Sequence, residues 1–120
     1  MCSIAGITKG NSAKEVLSML QTMKHRAPDD LGVFNDKNIS LGMGRLSIID
    51  LKSKNLCPYQ NDKIILSFNG EIYNYKEIRK DLKKKGYQFK TTSDTEVLGN
   101  AWDKWGKNIF DKIKGMFVFS

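Results

Sequence analysis

Short apolar runs alternating with capped helical stripes predict a layered α+β fold for this chain. Three observations carry that expectation. The chain opens on an apolar run, Ile4, Ala5 and Ile7, and closes on another, Met116 to Phe119. Three segments repeat apolar residues at helical spacing, each with a polar cap before it and a stop signal after it. Between them lie β-rich segments bounded by turn residues. The predicted order is strand, helix, several strands, helix, strand, helix, helix, strand. With 120 residues this is at most one domain with a modest core.

The first helix starts at Ser12, which with Glu15 makes a capping-box pattern. Ala13, Val16, Leu17, Leu20 and Met23 then share one face, and Pro28 stops the helix because a residue before proline is pushed out of the helical region. Lys24 to Asp30 is a charged loop that places Arg26 beside two carboxylates, an arrangement suited to fixing a loop near a site. Gly32–Phe34 and Ile39–Gly44 read as two strands around a polar turn at 35–38, and Arg45 to Asp50 continues the second. Leu51 to Asp62 reads as an exposed loop around Pro58. Lys63 to Phe68 is the strongest strand signal and runs into Asn69-Gly70, the usual two-residue hairpin turn. Asn74 can cap a helix that buries Ile78 and Leu82 and ends at Gly86. A short strand, Tyr87–Phe89, leads to a second capping box, Ser93 with Glu96. Val97, Leu98, Ala101, Trp102 and Trp105 form the stripe that follows, and Gly106 ends it. A short helix over 108–114 and a last strand from Gly115 complete the order.

Composition narrows the function classes. No apolar run approaches ~18 residues, so no membrane-spanning helix is expected. No basic segment leads into an apolar one at the start, so a cytoplasmic protein is expected. Cys2 and Cys57 form neither a metal-ligand spacing nor a disulfide framework, and His25 is the only histidine; no metal site is expected. The net charge of +7 comes largely from lysines 80–85 and 104–114. They fall on polar helix faces without interleaved exposed aromatics, so a solvated basic face is the reading and no nucleic-acid partner is expected.

Four positions carry candidate chemistry, each with two readings that the residues leave open. Cys2 is an accident of a start site or, with Met1 trimmed, a nucleophile that carries its own base, its α-amine. Arg45 among strand residues needs a carboxylate, from the protein or from a ligand. Asn69-Gly70 is a plain turn or a pair of convergent donors, an amide and a backbone N–H, as an oxyanion hole requires. Asp94 is a helix-terminal carboxylate held by the dipole, or an anion placed to bind an ammonium.

Taken together, these segments resemble the N-terminal glutaminase domain of glutamine-hydrolysing asparagine synthetases, a class II glutamine amidotransferase domain of the N-terminal-nucleophile (Ntn) hydrolases. The resemblance rests on Met1-Cys2-Ser3-Ile4-Ala5-Gly6, His25-Arg26-Ala27-Pro28-Asp29, Arg45-Leu46-Ser47-Ile48-Ile49-Asp50, Asn69-Gly70-Glu71-Ile72-Tyr73-Asn74, Ser93-Asp94-Thr95-Glu96 and Gly115-Met116-Phe117. Each is weak to moderate alone; six in order are specific.

The resemblance implies a four-layered α/β/β/α sandwich, incomplete at its C-terminal end, so that residues 1–120 form part of the domain. It implies that Cys2, freed of Met1, attacks the carboxamide of L-glutamine and forms a thioester, with Asn69 and Gly70 holding the oxyanion. Arg45 would pair with the substrate carboxylate beside Leu46, Ile48 and Ile49, while Glu71 and Asp94 would hold its polar ends, Asp94 taking the ammonium. The ammonia would serve a synthetase domain, C-terminal or separate, that amidates aspartate to asparagine with ATP and magnesium. No cofactor is implied for this segment, and a homodimer is left open. Two alternatives stand beside this: a non-catalytic remnant or interaction fragment, and an amidotransferase of a polysaccharide or natural-product pathway. Two departures from the family pattern mark a diverged member. Ala27 replaces a usual glycine, and Asn55-Leu56-Cys57-Pro58 replaces Gly-x-Gln-Pro.

Overall fold

The computed structural model describes residues 2–51 and 57–120. Met1 and the Asn55-Leu56 half of the second departure lie outside them. The chain builds β1 (Ser3–Ile7), α1 (Ala13–Thr22), β2 (Asp30–Asn35), β3 (Ser40–Arg45), β4 (Tyr59–Gln60), β5 (Ile65–Leu66) and β6 (Phe68–Ile72). Then come α2 (Tyr75–Lys84), α3 (Asp94–Trp105), a 3-10 segment (Gly106–Asp111) and β7 (Gly115–Phe119).

Layering follows from the alternation of side chains along β3. β1 and β2 flank β3 in an antiparallel three-stranded sheet. Gly42 turns one face of that sheet to α1; a Cβ there would lie 2.6 Å from Val16 Cγ1 and 2.7 Å from Leu20 Cδ1. The neighbouring Met43 faces the other way, where its Sδ lies 3.5 Å from the Phe68 amide. Ser67 Oγ donates to the Gly42 carbonyl at 3.1 Å, which fastens the second sheet layer to the first. That layer holds the antiparallel pairs β6–β7 and β4–β5. Helices α2 and α3 complete the sandwich, their Leu82, Val97 and Leu98 buried with Met43, Phe68 and Ile72. The fold is thus α+β with the expected α/β/β/α order. Each such buried aliphatic side chain contributes about 1.5–3 kcal/mol relative to exposure.

Local signals held where their bonds are local. Ser93 caps α3, its Oγ accepting from the Glu96 amide at 3.2 Å. Gly86 ends α2 at φ 90, with its N–H donating to Lys83 O and the Tyr87 N–H to Leu82 O, the paired closure that favours glycine. Ala27 sits at φ −141, so alanine fits the place without strain.

Elsewhere distant partners override the local signal. Ser12 makes no side-chain cap; its own N–H donates to Ser40 Oγ at 3.0 Å, drawing the helix start onto β3. Arg45 ends β3, and 46–50 is irregular. Of the exposed loop expected over Leu51–Asp62, residues 52–56 lie outside the described residues, and Tyr59 is buried instead, pairing with Leu66 in β4–β5. The strand expected over Lys63–Phe68 divides at Ser67, its two parts pairing with different partners. Asn69-Gly70 is no turn; it lies inside β6, opposite Val118 and Phe117 of β7. Tyr87–Phe89 is not a strand. Its side chains hold it instead, Tyr87 Oη donating to Asp103 Oδ2 at 2.8 Å and Phe89 lying under Arg79. The helix expected over 108–114 is the 3-10 segment, displaced toward Gly106. Asn74 does not cap α2, because its amide is spent on Lys112 O and the Lys114 N–H, both at 2.8 Å.

Among the described residues, no helix is long and apolar enough to cross a membrane.

Candidate active site

A cavity of about 290 Å³ lies where the ends of β1 and β3, strand β6 and the start of α3 meet. This is the small end of the range for ligand pockets, ~300–1,000 Å³. Cys2, just before β1, lines it, half-buried, with its thiol 3.9 Å from the Leu46 carbonyl.

One wall is β3 and the segment after it: Arg45, Leu46, Ile48 and Ile49. Arg45 is only 6% exposed, and its Nη2 donates to the carbonyls of Ile49 at 3.0 Å and Asp50 at 2.8 Å. The arginine therefore shapes the irregular 46–50 segment as well as charging the wall. Asp29 secures the other end of that segment: its Oδ2 accepts from the Ser47 N–H at 2.7 Å, and its own N–H donates to Arg45 O. The charged loop before β2 thus does fix a segment beside the site.

The opposite wall comes from β6 and α3. Gly70 and Glu71 line it, as does Asp94 at the first turn of α3. Gly70 has φ 149, a region that favours glycine, and a Cβ there would lie 2.1 Å from Met116 O and 2.5 Å from Phe117 Cα. Its role in the strand is close approach to β7. Asn69 is beside it on β6 but is not among the residues lining the cavity; its Oδ1 is buried without a hydrogen-bond partner.

Asp94 is 6% exposed, and its Oδ2 accepts from the Ile72 N–H at 3.2 Å. Burial pushes its carboxyl above the ordinary value, and the nearby Glu71 charge adds to that. The N–H groups of Ile72, Asp94 and Thr95 pull the other way. Two residues on, Glu96 is also buried but saturated: it accepts from the Lys90 and Thr91 N–H groups and from Thr91 Oγ1. Glu96 closes its own loop, whereas Asp94 faces the cavity.

Of the residues expected at the site, Cys2, Arg45, Leu46, Ile48, Ile49, Gly70, Glu71 and Asp94 all line this one cavity. Met43, Phe68, Tyr73, Ser93, Thr95 and Met116 line it too, and sequence reasoning assigned none of them a role at the site. Ser93 and Thr95 flank Asp94, so proximity was the available signal. Met116 stood only in the Gly115-Met116-Phe117 motif, with no role attached, and it arrives by pairing with Glu71 across β6–β7. Cys57 does not line the cavity; burial, with the Asp30 charge beside it, pushes its thiol up to about 12. Among the described residues no group of three or more His, Cys, Asp or Glu side chains could hold a metal ion. A cation on one wall and two carboxylates on the other suit a small molecule bearing both a carboxylate and an ammonium, and the Cys2 thiol lines the same cavity.

A family described as "Glutamine amidotransferase domain" matches residues 1–120. The chain is 37% identical to asparagine synthetase [glutamine-hydrolyzing] 1 of Bacillus subtilis (strain 168), over 99% of this chain and 20% of that protein. It is 36% identical to a putative asparagine synthetase [glutamine-hydrolyzing] 2 of Methanocaldococcus jannaschii, over 99% of this chain and 27% of the relative. The chain thus spans about a fifth to a quarter of these curated relatives. A solved glutamine phosphoribosylpyrophosphate amidotransferase from B. subtilis superposes with a TM-score of 0.78 at 18% identity, over 99% of this chain and 34% of its own. That likeness shows the fold, the Ntn-hydrolase-type α+β sandwich.

Proposed function

The chain belongs to the glutamine amidotransferase family, and we propose that it hydrolyses L-glutamine to glutamate and ammonia with Cys2 as nucleophile. The observation that carries this reading is the cavity that gathers Cys2, Arg45, Gly70 with Glu71, and Asp94 from four places in the chain.

Removal of Met1 makes Cys2 the first residue and frees its α-amine. The amine takes the thiol proton, and the sulfur attacks the carboxamide carbon, forming the C–S bond. The oxygen becomes an oxyanion held by the Gly70 N–H, and the Asn69 amide, which lies outside the cavity lining, must swing inward to serve as the second donor; losing one such donor typically costs about 10²–10³ in rate. The tetrahedral species collapses, the C–N bond breaks, and ammonia leaves with the proton returned by the α-ammonium. Water then cleaves the thioester, which releases glutamate and restores the thiol. Arg45 binds the substrate carboxylate, and Asp94 with Glu71 binds its ammonium, so both poles are held while the side-chain amide meets Cys2.

The ammonia supplies a synthetase domain outside these 120 residues, which uses ATP and magnesium to amidate aspartate to asparagine. The names of the relatives support that acceptor. The hydrolytic segment itself needs no cofactor, and the protein works in the cytoplasm, with a homodimer as one assembly open to it.

Incubation with 6-diazo-5-oxo-L-norleucine, a reactive glutamine analogue, followed by intact mass tests the proposal. A chain lacking Met1 takes up one adduct, L-glutamine protects it, and Cys2→Ala takes up none. A folded, Met1-free chain that stays unlabelled overturns the reading.

A further inference from the structure

We infer that Asp50 is a positioning residue that sets the spacing between the two charged poles of the glutamine site; this rests on the function proposed above. The poles belong to different elements. Arg45 ends β3, Asp94 starts α3, and the two are far apart in sequence. Asp50 touches both structures. Its carbonyl accepts from Arg45 Nη2 at 2.8 Å, and its Oδ2 accepts from the Thr92 N–H at 2.7 Å, two residues before Asp94. From Thr92 the chain enters the Ser93 cap and then Asp94 itself, whose Oδ2 is tied to the Ile72 N–H.

The backbone at Asp50 is specialised for this double reach. Its φ is 60, the left-handed region, which lets the carbonyl turn back to Arg45 while the carboxylate extends to Thr92. Aspartate and asparagine tolerate that conformation better than most residues, and only they and glutamate or glutamine offer a carbonyl-type acceptor at the end of the side chain. A charge-assisted acceptor also holds the Thr92 N–H more firmly than a neutral one would. Asp50 lies outside the cavity lining, so its effect on substrate passes through the two poles.

A ligand with both a carboxylate and an ammonium feels the spacing; one with the carboxylate alone does not. Glutaramate, which is glutamine without its α-amine, is therefore the discriminating probe. Cys2 labelling by 6-diazo-5-oxo-L-norleucine is measured in the full chain with L-glutamine or glutaramate as protecting ligand. Asp50→Gly keeps the left-handed backbone and deletes the acceptor. We expect it to weaken protection by glutamine about 10-fold, a modest share of the ~10²-fold that a 1 Å misplacement can cost. Protection by glutaramate and the limiting labelling rate stay within about 2-fold, and Asp50→Asn, which keeps an acceptor, restores most of the difference. Thr92→Pro deletes the donor from the other side and gives the same collapse, so the inference is tested even if Asp50→Gly does not fold. Equal losses for both ligands, or no loss in either variant, overturn the positioning role while leaving the glutaminase reading intact. A wild-type chain that never labels overturns both.

Discussion

The two walls of the cavity are held by opposite means. On the Arg45 wall, side chains reach main chain: Arg45 to two carbonyls, Asp29 to the Ser47 N–H, Asp50 to the Thr92 N–H. That wall is an irregular segment made definite by charged hydrogen bonds. On the Gly70 wall, main chain meets main chain: β6 pairs with β7, and Gly70 lets them approach where any Cβ would strike the Met116 carbonyl. The contrast teaches where each wall is vulnerable. The first is exposed to loss of a charged group, the second to a methyl at Gly70.

Gly70→Ala breaks the contrast most severely. The new Cβ combines a disfavoured φ with a clash against β7 backbone, so stability should fall by roughly 3 kcal/mol or more. Chemical denaturation reads this directly, and a loss under about 1 kcal/mol would show that β7 can move aside.

Asp94→Asn sharpens the contrast by separating function from stability. Glutamine protection of Cys2 should weaken about 10–100-fold, the size of a lost charge-assisted hydrogen bond. Fold stability at neutral pH should not fall. Burial raises the Asp94 carboxyl above 3.8, so its protonated form favours the folded state, and that contribution is lost as pH rises through the raised value. Asparagine avoids the loss. Binding an ammonium needs the ionised form, so wild-type affinity for glutamine should also decline as pH falls through that same raised value, and the variant's should not. Thermal melts and protection assays across pH check both halves; a variant that melts well below wild type would mean Asp94 is chiefly a structural cap.

The smallest effect concerns the thiols. With its pKa pushed up to about 12, Cys57 is about 10⁻⁴ thiolate at pH 8, so iodoacetamide should modify Cys2 and leave Cys57 untouched in the folded chain. Peptide mapping that found Cys57 modified at a comparable rate would show that burial does not shield its thiol.

Much of this was legible in the residues because the forces concerned are local. The Ser93 cap, the Gly86 stop, the stripe from Val97 to Ala101 and the hairpin-like order of β2 and β3 each depend on neighbours a few positions away. So does the set of chemical groups: a cysteine beside the start, a strand arginine, an aspartate at a helix start. Where the sequence misled, it did so by the same locality. Asn69-Gly70 has the composition of a turn, yet it is a strand, because β7 offers a full ladder of hydrogen bonds that outweighs a turn preference of order 1 kcal/mol. Asn74 has cap chemistry, yet Lys112 and Lys114 claim its side chain, and Ser12 is drawn to β3 by its backbone N–H, which donates to Ser40 Oγ.

The sequence by itself thus put forward Cys2, Arg45, Gly70, Glu71 and Asp94 as candidate groups and indicated which face each helix would bury. Only the tertiary structure decided that Met116 would stand beside Glu71 and that Asp50 would bridge Arg45 to the approach to Asp94. The physical reason is that capping and periodicity act over a few residues along the chain. Strand register and side-chain-to-backbone ties join positions tens of residues apart, which nothing in the local sequence pairs.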